Sequence, residues 1–194
     1  MRHVAGLALL LVCLVVPARA AFAQGAPRTL HLFYGIAGGP GRRTTSGSFA
    51  TSELPPEARQ PASDRTIATL NVHGGIRLTK RAGVLALWDQ TFGGNAGEDR
   101  WGATAAHVAG RVWMSQAIWV EAGAGLAELG YKPAGRTGSA ISRFWAPGVE
   151  VAAGGDLVSG PRVALTAVAR YETGAFHGLR IHTVCFQVGL TGTR

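Results

Sequence analysis

Cysteine is nearly missing from this chain. Only Cys13 and Cys185 occur in 194 residues, and Cys13 falls in an N-terminal apolar run. No intramolecular disulfide can then staple the remaining fold, so its own architecture or a membrane must hold it. Acidic residues are also few, 11 against 19 Lys and Arg, with a formal net charge of +8. Beyond the N-terminus no apolar stretch reaches the roughly 18 residues a membrane-spanning helix needs. The histidines His31, His73, His107, His177 and His182 belong to no Cys/His set with metal-ligand spacing. They are read as hydrogen-bonding groups, and neither metal nor cofactor is expected. A phosphate-cradling loop is excluded as well. Gly35-Ile36-Ala37-Gly38-Gly39-Pro40-Gly41 follows a strand, but Pro40, Arg42-Arg43 and Thr44-Thr45 come where a helix would have to open.

What is present at the start is a leader. Arg2 and His3 precede the apolar run Val4 to Val16, which Pro17 ends before the small-x-small sites Ala18-Arg19-Ala20 and Ala21-Phe22-Ala23. Residues 1–23 are expected to be a secretory signal peptide, cut before Gln24 or at the earlier site. Residues 24–194 then form one exported domain. Without Arg2 and Arg19 the basic residues still outnumber the 11 acids. An exported cationic chain points to lipid and lipopolysaccharide phosphates as neighbours, and not to nucleic acid.

The most informative stretch is Thr66 to Lys80. From residue 68 its even positions are Ala68, Leu70, Val72, Gly74, Ile76 and Leu78. The odd ones are Thr69, Asn71, His73, Gly75, Arg77 and Thr79. Period two over this length describes a strand with two unlike faces. It is long enough to cross a bilayer in a barrel, which takes about 9–11 tilted residues.

The same alternation recurs along the chain. Thr29 to Ala37 gives a first strand, followed by a polar connection from Gly38 to Asp64 that is predicted to be a long surface loop. Val84 to Phe92 is the third strand, and apolar residues on both faces leave its orientation open. Trp101 to Met114 and Ile118 to Ala127 flank a turn at Ser115-Gln116. Phe144 to Gly154, Val163 to Glu172 and a final strand through Val184, Phe186, Val188 and Leu190 complete eight. A turn is expected at Asp156 to Pro161 and a short loop at Thr173 to Gly178. The connections alternate long and short, so the long ones would face outward and the short ones the periplasm.

These features resemble the small eight-stranded outer-membrane barrels of the OmpA and OmpX type. The resemblance rests on the leader, the eight alternating segments, the turns at Lys80–Gly83 and Ser115–Gln116, and the glycine-laden final strand. One departure is the end, Leu190-Thr191-Gly192-Thr193-Arg194, where such barrels carry an aromatic residue. The resemblance implies an all-β, eight-stranded antiparallel up-and-down transmembrane β-barrel in the bacterial outer membrane, most simply a monomer.

An eight-stranded barrel has an interior just wide enough for side chains to fill it. By parity its charged interior positions are Arg77, Arg111, Glu121, Glu150, Arg170 and Glu172, with Asp89 undecided. Arg111 and Glu121 flank the Ser115–Gln116 turn at nearly equal distances and are expected to pair, with Glu150 at a similar height and Arg77 within reach. Such a balanced, packed lumen implies a structural or surface-interaction protein, with the 38–64 loop as a possible contact surface, and not a wide pore. Trp88, Phe92, Trp101, Phe144, Trp145 and Tyr171 are expected as an interfacial girdle, while Trp113 and Trp119 turn inward. Two alternatives stay open. The first is a soluble lipocalin-like calyx with the faces reversed. The second is a lipid A-modifying acyl hydrolase or transferase, for which His177 and His182 lie near Glu172 but a placed nucleophile is lacking.

Overall fold

Eight strands hydrogen-bond in sequence order and close on themselves. In the computed structural model, which describes residues 31–48, 65–93, 100–132 and 142–193, the strands are β1 His31–Gly47, β2 Arg65–Arg77, β3 Ala82–Phe92 and β4 Arg100–Trp113. They continue as β5 Ile118–Lys132, β6 Ser142–Ser159, β7 Val163–Phe176 and β8 Leu179–Thr193. Every neighbour pair is antiparallel and β1 pairs with β8, giving an all-β, closed up-and-down barrel. Closure leaves no sheet edge with unpaired backbone groups, which lipid would not tolerate. The leader segment 1–23 and most of the predicted loop, residues 49–64, lie outside the described residues.

The period-two pattern becomes two physical surfaces. Outward on β2, β4, β6 and β8 stand residues such as Val72, Ile76, Val108, Val112, Val149, Val151, Phe186 and Val188, all exposed. Inward stand Thr69, Asn71, His73, His107, Arg111, Glu150, Arg170 and Gln187, all buried. An apolar exterior around a polar interior is the reverse of a lipocalin-like calyx, and that alternative is set aside. On β3, Val84, Ala86 and Trp88 face out, while Leu85, Leu87 and Asp89 face in.

Four boundaries differ from the sequence reading, each for a local reason. β1 does not end at Ala37 but runs on to Gly47. The Gly38-Gly39-Pro40-Gly41 run reads as a turn, yet the sheet presses close here. A Cβ on Gly39 would lie 2.0 Å from the Phe186 carbonyl oxygen. The ladder to β8 skips Gly39 and Pro40 and resumes in the same register at Gly41, as befits a proline with no N–H to donate. β5 likewise runs past Ala127, where the sequence reading ends the strand, to Lys132. β6 runs through Asp156 to Ser159 by way of a bulge between Asp156 and Val158, which turns Leu157 and Val158 both outward. Lastly, β7 and β8 are joined by His177-Gly178 alone. Both residues have positive φ, 32° and 95°, the conformation of a type I′ hairpin turn.

Of the expected girdle, Trp88, Phe92, Trp145 and Tyr171 point outward and are exposed. Phe144 does not belong to it. Even positions of β6 face the lumen, so Phe144 is buried in an apolar cluster with Leu129, Tyr131, Phe176, Leu179 and Ile181. The Trp101 side chain lies outside the described residues.

Candidate functional site in the barrel lumen

Charge fills the middle of the lumen, and register brings it together. A four-residue turn, Met114–Ala117, leaves β4 and β5 no freedom to slip, so Arg111 and Glu121 are direct ladder partners. Arg111 Nε donates to Glu121 Oε2 at 2.9 Å, with Nη2 at 2.8 Å. From β7 across the lumen, Arg170 extends one guanidinium to three strands. Nη1 donates to Asp89 Oδ1 of β3 at 2.5 Å and Nη2 to Glu121 Oε1 of β5 at 2.8 Å, while Nε lies 3.4 Å from Glu150 Oε2 of β6. Asn71 Nδ2 also donates to Asp89 Oδ1, at 2.7 Å, and Asn71 Oδ1 accepts from His73 Nδ1 at 2.9 Å. All of these side chains are buried.

Arg77 sits apart from Asp89, Glu121 and Glu150, toward the end of the short turns, where its guanidinium lies 4.0 Å from the Trp113 ring centroid. Arg111 caps the Trp119 ring at 3.8 Å, and Phe33 meets Trp113 edge-on at 5.4 Å. This cation–π layer accounts for the two inward tryptophans, since an aromatic face attracts a desolvated cation. Trp119 has room because residue 154 is glycine, where a Cβ would come within 2.3 Å of the indole. Below the layer a vestibule of about 400 Å³ opens among Arg77, Arg111, Trp113, Trp119 and Asp156.

Toward the loop end, Glu172 stands opposite Glu150 in the β6–β7 ladder. With Asp89 and His107 it offers ligand atoms all within 4.8 Å of one another. No linear motif marks this group, because β3, β4 and β7 each supply one residue. Above it the Leu129–Phe144–Phe176 cluster caps the lumen. The interior thus has three layers: aromatic and cationic, ionic, and apolar.

The parts of a lipid-hydrolysing relay are not assembled. His182 faces the barrel exterior, where Nδ1 lies 2.7 Å from the Tyr171 hydroxyl, whereas Glu172 faces the lumen. His177 is exposed in the hairpin turn. The Cys185 thiol is buried.

No family model matches the sequence, and no curated protein does. Among solved structures the barrel is similar to Neisserial surface protein A, with a TM-score of 0.59 and 16% identity over 82% of this chain and 96% of that one. It is also similar to Ail, the attachment invasion locus protein of Yersinia pestis, solved in complex with the heparin analogue sucrose octasulfate. There the TM-score is 0.52 at 12% identity, covering 86% of this chain and 100% of Ail. The chain therefore has the fold of the small eight-stranded outer-membrane barrels.

Proposed function

We propose that this protein is an outer-membrane barrel whose lumen is a plug and whose longer connections form a surface for contacts with other molecules. The observation that carries the first half is the Arg170 guanidinium, which ties β7 to β3 and β5 across the barrel axis. A conducting path would have to break ion pairs buried from water on every side, with the apolar cluster closed above them. In planar lipid bilayers the purified protein is expected to give no steady conductance. A reproducible single-channel step would end the plug reading.

The second half rests on asymmetry. Residues 48–64, 93–99 and 133–141 all connect strands at one end, while the other end has only the turns at 78–81, 114–117 and 160–162. Exposed Arg143 and Arg180 point outward near the loop end, where lipopolysaccharide phosphates would be counterions for Arg180 and would add to the Glu128 partner of Arg143. That Ail has been solved with a polysulfated ligand is in keeping with such a surface role. Protease added to intact cells should cut between residues 48 and 64 and leave a barrel that still migrates as a folded species on an unheated gel. Cleavage at Ser115–Gln116, with the 48–64 segment protected, would mean the opposite insertion. We expect a monomer and no nucleic-acid partner.

A further inference from the structure

The ionic layer holds more carboxylates than it uses. Arg111 and Arg170 engage Glu121, Asp89 and Glu150. Glu172 adds a fourth acid directly opposite Glu150, and like charges across a ladder repel. Arg43, buried on β1, reaches the same region by donating to Thr91 Oγ1. Carboxylates still outnumber guanidiniums there, four to three. Between Asp89, His107 and Glu172 lies a cavity of about 30 Å³, also bordered by Thr91, Ala105 and Thr183. That is room for a single ion or water.

Two polar atoms facing it have no hydrogen-bond partner, Asp89 Oδ2 and His107 Nδ1. They stand 3.9 Å apart on residues only 4% and 3% exposed. Buried polar atoms are rarely left unpaired in proteins. Residue 148 is a glycine, and a Cβ there would lie 3.2 Å from His107 Nε2, so the imidazole is held in a close-fitting berth.

We propose that Asp89, His107 and Glu172 bind one divalent first-row cation of the zinc type inside the lumen. One imidazole nitrogen and two carboxylate oxygens make a hard-to-borderline donor set suited to such ions. Ligands of a tetrahedral zinc stand about 3.4 Å apart, so the three groups, now within 4.8 Å, need to close by no more than about 1.4 Å. A divalent ion would more than offset the one-carboxylate excess and place a cation between Glu172 and Asp89. The site spans β3, β4 and β7, so the ion would fasten opposite walls of the barrel. This inference does not depend on the surface role proposed above.

The test uses untagged protein refolded into detergent after chelation, with Zn²⁺ or Co²⁺ alone as the probe. One zinc per chain should survive gel filtration, and it should raise the thermal midpoint. Co²⁺ should give a visible band that changes in His107→Gln. Glu172→Gln, which preserves shape, should weaken Zn²⁺ binding at least about tenfold. Glu128→Gln, paired with Arg143 away from the cavity, should retain it. If His107→Gln does not fold, the Glu172→Gln comparison decides. The proposal is overturned if the wild type holds no more zinc than Glu172→Gln, or if zinc leaves its thermal midpoint unchanged. In that case the three groups share protons only.

Discussion

Arg170→Met is expected to be the most damaging single substitution in the barrel. Its side chain is 1% exposed and contacts carboxylates from three strands. Removing one partner of a buried ion pair typically costs about 3–5 kcal/mol, because the other charge is left stranded. Here Asp89 and Glu150 would lose their arginine counterion and Glu121 would keep only Arg111, so the loss should reach the top of that range. Denaturant unfolding in detergent micelles measures it, and the heat-resistant band on unheated gels should weaken. Arg170→Lys keeps the charge but not the planar fork that serves several acceptors, and should fall between wild type and methionine. Adding Asp89→Asn and Glu150→Gln to Arg170→Met should recover stability by removing the stranded charges. Wild-type unfolding of Arg170→Met would show that the ionic layer contributes nothing to stability.

Arg111→Met tests the neighbouring pair. It removes the two contacts to Glu121 and the cation over Trp119, and should cost about 3–5 kcal/mol for the same reason. Arg111→Met combined with Glu121→Leu should recover much of that loss. The double change leaves no stranded acid on β5, and Arg170 keeps Asp89 and Glu150 as partners. A double-mutant cycle reads the coupling directly. Additive effects, with no coupling beyond a few tenths of a kcal/mol, would mean that Arg111 and Glu121 do not act as a pair.

How much of this was open to reading from sequence depends on distance along the chain. Strand faces follow from parity, and β2 shows it cleanly, with Leu70, Val72 and Ile76 against Asn71 and His73. Arg111 and Glu121 can be set opposite each other by counting from the turn, since so short a turn fixes the register. β3 was different. Val84, Ala86 and Trp88 are no more apolar than Leu85 and Leu87, so nothing local tells where Asp89 points. It faces inward, and so does Arg43 from a stretch read as loop, so the expected three positive and three negative charges each gain one buried residue. The Asp89–His107–Glu172 group was hidden for a stronger reason. β3 and β7 are not neighbours in the sheet, and only closure brings them face to face. Glycine and proline misled at β1, where they permit close packing between strands and not a turn. The β6 bulge erased period two at Leu157-Val158, so a strand end looked like a loop.

The two-residue turn at His177-Gly178 also bears on the order in which the barrel comes together. Hairpins with so little chain to close form in about 1–10 μs, and β7–β8 can zip from this turn without waiting for any other strand. The β1–β8 seam is the opposite case. Its partners, such as Phe33 and Thr193, are separated by nearly the whole domain, and contacts between sequence-distant residues form slowly because the intervening chain must be gathered first. At Gly39 and Pro40 that seam also has a gap in its ladder. The seam that closes the barrel is thus also one that cannot zip without interruption.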